Sequence, residues 1–93
     1  MAKQNFMTLG EFLKERRLKK GLTQKQVSDA FGFTTSQFIS NIERGLSPPP
    51  ANVLRKLVNI YDIPEREILK AIMAEQERFW RNELNLNGKQ RSR

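Results

Sequence analysis

The stretch that decides the fold runs Leu22-Thr23-Gln24-Lys25-Gln26-Val27-Ser28-Asp29-Ala30-Phe31-Gly32 and on through Phe33-Thr34-Thr35-Ser36-Gln37-Phe38-Ile39-Ser40-Asn41-Ile42-Glu43-Arg44-Gly45. Thr23 with Gln26 three residues later forms a capping box. The hydroxyl accepts from a free backbone N–H of the first turn, and the glutamine side chain reaches back to the cap. Val27, Ala30 and Phe31 then recur at helical spacing, and Gly32 ends this short helix near residue 31. A second helix is expected from about Ser36 to Arg44, with Phe38, Ile39 and Ile42 on one side and Gly45 as its left-handed terminator. Thr34, Thr35 and Ser36 are each able to cap it. Two short helices joined by a tight, glycine-containing turn have helix-turn-helix geometry.

Working outward, Thr8 and Glu11 form the same capping box ahead of Leu9, Phe12, Leu13 and the Arg16-Arg17 pair, with Gly21 as the stop. This places a helix at about 9–20. Downstream, Leu46-Ser47-Pro48-Pro49-Pro50 cannot be helix interior, because prolines lack the donor and bias the preceding residues to extended geometry. A fourth helix carries Leu54, Leu57, Val58 and Tyr61 on one face. Pro64 suits the first turn of a fifth, long helix at about 64–85, and Glu65 and Glu67 favour its positive end. No segment shows the alternation of a strand. The expected class is therefore all-α, with five helices. Its organisation reads as an N-terminal arm (1–7), a compact domain (8–69), an extension of the last helix (70–86) and a polar tail (87–93) that carries three positive charges and is expected to be disordered.

Composition narrows the function. The 93 residues contain neither cysteine nor histidine, which removes the thiol nucleophile, the commonest general base and the commonest metal ligand. No enzyme, cofactor or metal is expected. Seventeen Lys+Arg against ten Asp+Glu give a net charge of +7, a balance that on a small domain favours a polyanionic partner, nucleic acid foremost. No apolar run approaches the ~18 residues of a membrane helix, and Met1–Asn5 lead into nothing like a signal peptide. The expected location is cytoplasmic.

The helix at 36–44 is where the function reading concentrates. Opposite Phe38 and Ile42 lie Ser36, Gln37, Ser40, Asn41 and Arg44: short hydroxyls, two carboxamides and a guanidinium, with no carboxylate and with Glu43 at the flank. Carboxamides offer paired donor and acceptor atoms to base edges in the major groove, and arginine holds phosphate.

Leu22-Thr23-Gln24…Val27…Ala30-Phe31-Gly32…Ile39-Ser40-Asn41-Ile42-Glu43-Arg44-Gly45 resembles the XRE family, the helix-turn-helix class of phage repressors and Cro proteins. The likeness extends from about Leu9 to Leu69. It implies a phage-repressor-like domain on double-stranded DNA, with Gln24 opening its helix against a phosphate. Ser36, Gln37 and Asn41 would face base edges, with Thr35 and Ser40 in the same DNA-facing set, and Arg44 would reach the backbone. The resemblance also implies that Arg17 and Glu43 form an internal salt bridge, a structural role rather than a DNA contact. The turn Gly32–Ser36 looks one residue longer than the family's spacing, which leaves the register at the helix start open. The loop Leu46–Pro50 carries no charge where relatives often have basic residues.

The long last helix has more apolar length than its own domain needs. Leu69, Ile72, Gln76, Phe79, Glu83 and Leu86 follow steps of three and four, an imperfect coiled-coil seam, with Met73 and Trp80 beside it. Leu69, Ile72, Met73, Phe79 and Trp80 are the candidate dimerisation residues. Folding back over its own domain and docking another protein are the other uses of such a helix. The expected function is a homodimeric repressor on a palindromic operator. The alternative is an antitoxin-like or adaptor protein that binds a partner through this helix as well as DNA.

Overall fold

A computed structural model describes residues 7–86, so most of the expected arm and the whole of the tail lie outside the described residues. Among them are five helices and no strand: α1 (Leu9–Lys19), α2 (Gln24–Ala30), α3 (Gln37–Glu43), α4 (Ala51–Tyr61) and α5 (Glu65–Glu83). The all-α expectation holds, with boundaries displaced by one or two residues.

The local signals act as the sequence suggests. Glu11 N–H donates to Thr8 Oγ1 at 3.1 Å while Thr8 N–H donates to Glu11 Oε1 at 3.0 Å. Thr23 and Gln26 repeat the exchange at 3.0 and 2.8 Å. These bonds satisfy first-turn donors that no helical carbonyl can reach. At the end of α3, Gly45 adopts a φ of 79°, and Leu46 N–H turns back to the Asn41 carbonyl at 2.9 Å. Only a residue without a Cβ takes that conformation at little cost. Pro64 stands one position before α5 as its N-cap rather than inside the first turn, still in the extended backbone that a proline accepts there.

Leu13, Val27, Ile39, Ile42, Val53, Leu57, Tyr61, Ile63 and Ile68 form one buried cluster, to which every helix contributes. Leu9, Phe12, Leu22, Phe31, Phe38, Leu54, Val58 and Ile72 pack around it. Val53 and Ile63, which the stripe read from sequence omits, are members. Ser28 is fully buried on α2 and its hydroxyl has no partner among the described residues, a site of net cost within the core.

Gly10 makes a close backbone approach between two helices. In the first turn of α1 it lies against the last turn of α3, where a Cβ would stand 2.5 Å from the Ile42 carbonyl oxygen and 2.6 Å from that of Glu43. Both neighbours are backbone, so neither can rotate away. In an exposed helix, Gly→Ala stabilises by about 1 kcal/mol. Here Gly10→Ala is expected to destabilise by about 1–3 kcal/mol, as overpacking does. Urea unfolding at unchanged slope measures it, and an unchanged or raised midpoint would show that α1 and α3 do not meet so closely.

Candidate nucleic-acid interface

A buried ion pair sets the position of α3. Arg17 on α1 donates through Nε to Glu43 Oε2 at 2.7 Å and through Nη2 to Glu43 Oε1 at 3.1 Å, a bidentate fork with both residues only 6% exposed. Its remaining terminal nitrogen, Nη1, donates to the Leu22 carbonyl at 2.7 Å, on the segment that leads into α2. Gln24 Nε2 donates to Glu43 Oε1 at 2.9 Å. One guanidinium and one carboxylate thus bind α1, the α1–α2 connection, α2 and α3 together. The hydrogen bonds to Glu43 hold the Arg17 guanidinium pKa above its ordinary value, against the opposing effect of burial. Burial, followed by the nearby Glu43 charge, pushes the Tyr61 phenol up as well, so it stays neutral beside the pair. The expected salt bridge is present. Gln24, expected at a phosphate, is half-buried and tied to this network by one amide hydrogen, which leaves its second hydrogen for another acceptor.

On the outer side of α3 the polar residues form a chain of their own. Gln37 Nε2 donates to Asn41 Oδ1 at 2.9 Å, and Arg44 Nη2 donates to the same oxygen at 3.1 Å. Gln37 and Arg44 are exposed, whereas Ser36, Ser40 and Asn41 are half-buried. The double acceptance fixes the Asn41 amide with its NH₂ outward from the pair of donors. It also leaves Gln37 with a free carbonyl oxygen and a free N–H. An acceptor next to a donor is the pattern that pairs with the N6 and N7 edge of adenine.

The start of α3 is settled in a way that spacing alone left open. Ser36 holds the N-cap position with φ −88° and ψ 6° and makes no side-chain cap bond. Exposed Thr35 receives the Gln37 N–H on its hydroxyl at 3.3 Å. The turn itself is braced by aromatic rings. Phe31 and Phe33 stack at 5.3 Å between centroids, and Phe33 meets the edge of Phe38 at 5.1 Å. Lys56 on α4 lies 4.7 Å over the Phe31 ring and donates to the Ala30 carbonyl at 2.8 Å, capping the end of α2. Neither this lysine nor Gly10 could be singled out from spacing, because each acts through a contact distant in sequence.

α5 is tied to α1 along more than half its length. Arg16 pairs with Glu67 at 2.6 Å, Leu9 N–H donates to Glu75 Oε1 at 2.9 Å, and Arg78 Nη2 donates to the Met7 carbonyl at 3.0 Å. The extension from residue 70 therefore braces the entrance of α1. Ile72, expected in the dimerisation seam, packs against the core instead, because it follows buried Ile68 by one turn. Leu69, Met73, Phe79, Trp80 and Leu84 are exposed, and Phe79 and Trp80 meet edge to face at 5.1 Å. At 100° per residue, Leu69, Met73, Gln76, Trp80 and Leu84 fall within an arc of about 80°. The outward apolar stripe is thus shifted by one position from the seam read in the sequence, and Phe79 stands beside it.

Comparison with known proteins agrees with this architecture. A family described as helix-turn-helix matches residues 13–68, from the middle of α1 into the start of α5. The HTH-type transcriptional regulator ImmR of Bacillus subtilis (strain 168) is 39% identical over 57 residues, 61% of this chain and 44% of that protein. The chain thus spans less than half of that relative's length. No solved structure matches.

The ion pair has a measurable consequence. Removing one charge of a buried pair leaves the other uncompensated, at a cost of about 3–5 kcal/mol, whereas an apolar pair of similar volume is often tolerated. Glu43→Gln is expected to lower stability by that amount, and the double change Arg17→Met, Glu43→Leu to recover most of it. Equal unfolding midpoints for Glu43→Gln and the parent chain would remove the pair from its central place.

Proposed function

The chain belongs to the helix-turn-helix family, of the XRE type, and on that premise we propose that it is a sequence-specific DNA-binding transcriptional regulator that lays α3 in the major groove. The observation that carries this reading is the hydrogen-bonded row Gln37–Asn41–Arg44 on the exposed side of a helix whose inner side is fixed by Arg17 and Glu43. In this reading Gln37 and Asn41 address base edges, with Ser36 and Ser40 behind them. Arg44, Thr35 and the unpaired amide hydrogen of Gln24 address the backbone. The net charge of +7 supplies the sequence-independent attraction. Among the described residues no helix is long and apolar enough to cross a membrane, and no cluster of acidic side chains is arranged to hold a metal.

The finer reading is a homodimeric repressor. Two copies packed through the outward stripe of α5 would present two α3 helices to half-sites about 34 Å apart on a palindromic operator, and occupancy would block a promoter. Support comes from the stripe itself: Leu69, Met73, Trp80 and Leu84 are each about half exposed or more, on a helix anchored by its opposite side. Met73→Lys with Trp80→Lys is expected to give a folded monomer by sedimentation. Its affinity for a two-half-site duplex should fall far more than that for a single half-site. A dimer that survives both lysines would place the interface elsewhere.

Selection of bound duplexes from a random pool tests the DNA reading directly and yields the operator and its spacing together. On that operator, Gln37→Ala is expected to lose about 1–3 kcal/mol of discrimination at one base pair per half-site, with random-DNA binding unchanged. Arg44→Ala should instead weaken all sequences alike and reduce the slope of log affinity against log salt by about 0.9 per half-site. Unaltered specificity in Gln37→Ala would transfer the reading role to Ser36 or Ser40.

A further inference from the structure

Phe33 has no part in the buried cluster, yet the turn holds its ring firmly. It stacks on Phe31 with an angle of 10° between planes and meets Phe38 at 71°. Phe31 and Phe38 pack on the core, so Phe33 is the outermost ring of an ordered stack that the core anchors. Beside it the surface forms a groove lined by Phe33, Thr34, Thr35, Gln37, Phe38 and Asn41.

The chemistry of this lining selects its occupant. It contains no lysine or arginine whose charge would draw a phosphate into it, and no carboxylate to draw a cation. Two phenyl rings supply an apolar wall, and two hydroxyls and two carboxamides stand around them. The complement is a small apolar knob on an otherwise polar edge. Among the groups displayed in the major groove, only the 5-methyl of thymine fits that description. The groove shares Gln37 and Asn41 with the base-reading row, so an occupant would lie next to the base that Gln37 contacts.

We propose that this groove is a thymine-methyl subsite: Phe33 and Phe38 receive the 5-methyl of the thymine adjacent to the base pair read by Gln37. The turn Gly32–Ser36 then has a use, because it sets Phe33 beside Gln37 and Asn41 in this groove. The proposal rests on the reading that α3 enters the major groove, and the test separates the two.

Each thymine of the selected operator is replaced singly by uracil, which removes the methyl and keeps every hydrogen-bonding group. Binding of the full chain is then measured by fluorescence anisotropy. One thymine per half-site is expected to lose about fourfold in affinity on replacement, the equivalent of one buried methyl. That position should neighbour the base pair relaxed by Gln37→Ala. Phe33→Ala, confirmed helical by circular dichroism, should bind the thymine and uracil duplexes equally. If that variant does not fold, Phe33→Leu keeps an apolar contact with Phe31 and should shrink the same penalty. Operator binding with no uracil-sensitive position overturns the subsite alone, as does a penalty that persists in the folded Phe33 variants or falls far from the Gln37 base pair. A chain that binds no duplex in the selection overturns the DNA reading and the subsite with it.

Discussion

The bidentate pair between Arg17 and Glu43 is the interaction on which the arrangement of α1, α2 and α3 depends. It lies almost wholly out of water, where an unpaired charge is costly, so each partner constrains the other tightly. The guanidinium also uses its remaining terminal nitrogen on the Leu22 carbonyl, and Gln24 gives the carboxylate a third hydrogen bond. Every rearrangement of α3 relative to α1 would leave at least one of these groups unsatisfied in a low-dielectric interior. Gly10 adds a purely steric limit at the same junction, since α1 and α3 meet there backbone to backbone. Electrostatics fixes the register of the two helices and van der Waals contact fixes their separation.

Much of this could be read from residue order because the signals are local. Thr8 with Glu11, Thr23 with Gln26, and the glycines after α1, α2 and α3 act within a single turn of chain, so spacing carries their whole meaning. The polar face of α3 follows from helical periodicity in the same way. What sequence left open depends on contacts between distant segments. Gly10 reads as an ordinary capping-box residue until α3 is laid against it. Lys56 reads as one basic residue among many until it reaches the end of α2. Ile72 and Met73 are equally apolar neighbours, and only the rotation of α5 decides that one faces the core and the other faces out.

The outer face of α3 carries a hydrogen-bonded row of its own. Asn41 accepts from both Gln37 and Arg44, so three rotamer-rich side chains share one arrangement. Ordering such side chains in a complex costs roughly 0.5–1.5 kcal/mol each, and under the proposed reading these hydrogen bonds would lower that cost. The aromatic stack braces the turn that leads into α3, because Phe31 and Phe38 pack against the core and Phe33 leans on both. α5 contributes from the far side, where Glu75 accepts the first-turn N–H of Leu9 and Arg78 holds the Met7 carbonyl.

The backbone contact at Gly10 also separates two histories that a chain of this size could otherwise have had to share. Because α3 is located by its carbonyls and by its buried inner residues, the side chains at 37, 40, 41 and 44 are not needed to hold it in place. The contacts that seat the helix, the buried pair and the backbone approach at Gly10, do not involve them. Under the proposed reading, a change of target sequence would fall on these positions and leave the contact that seats α3 untouched.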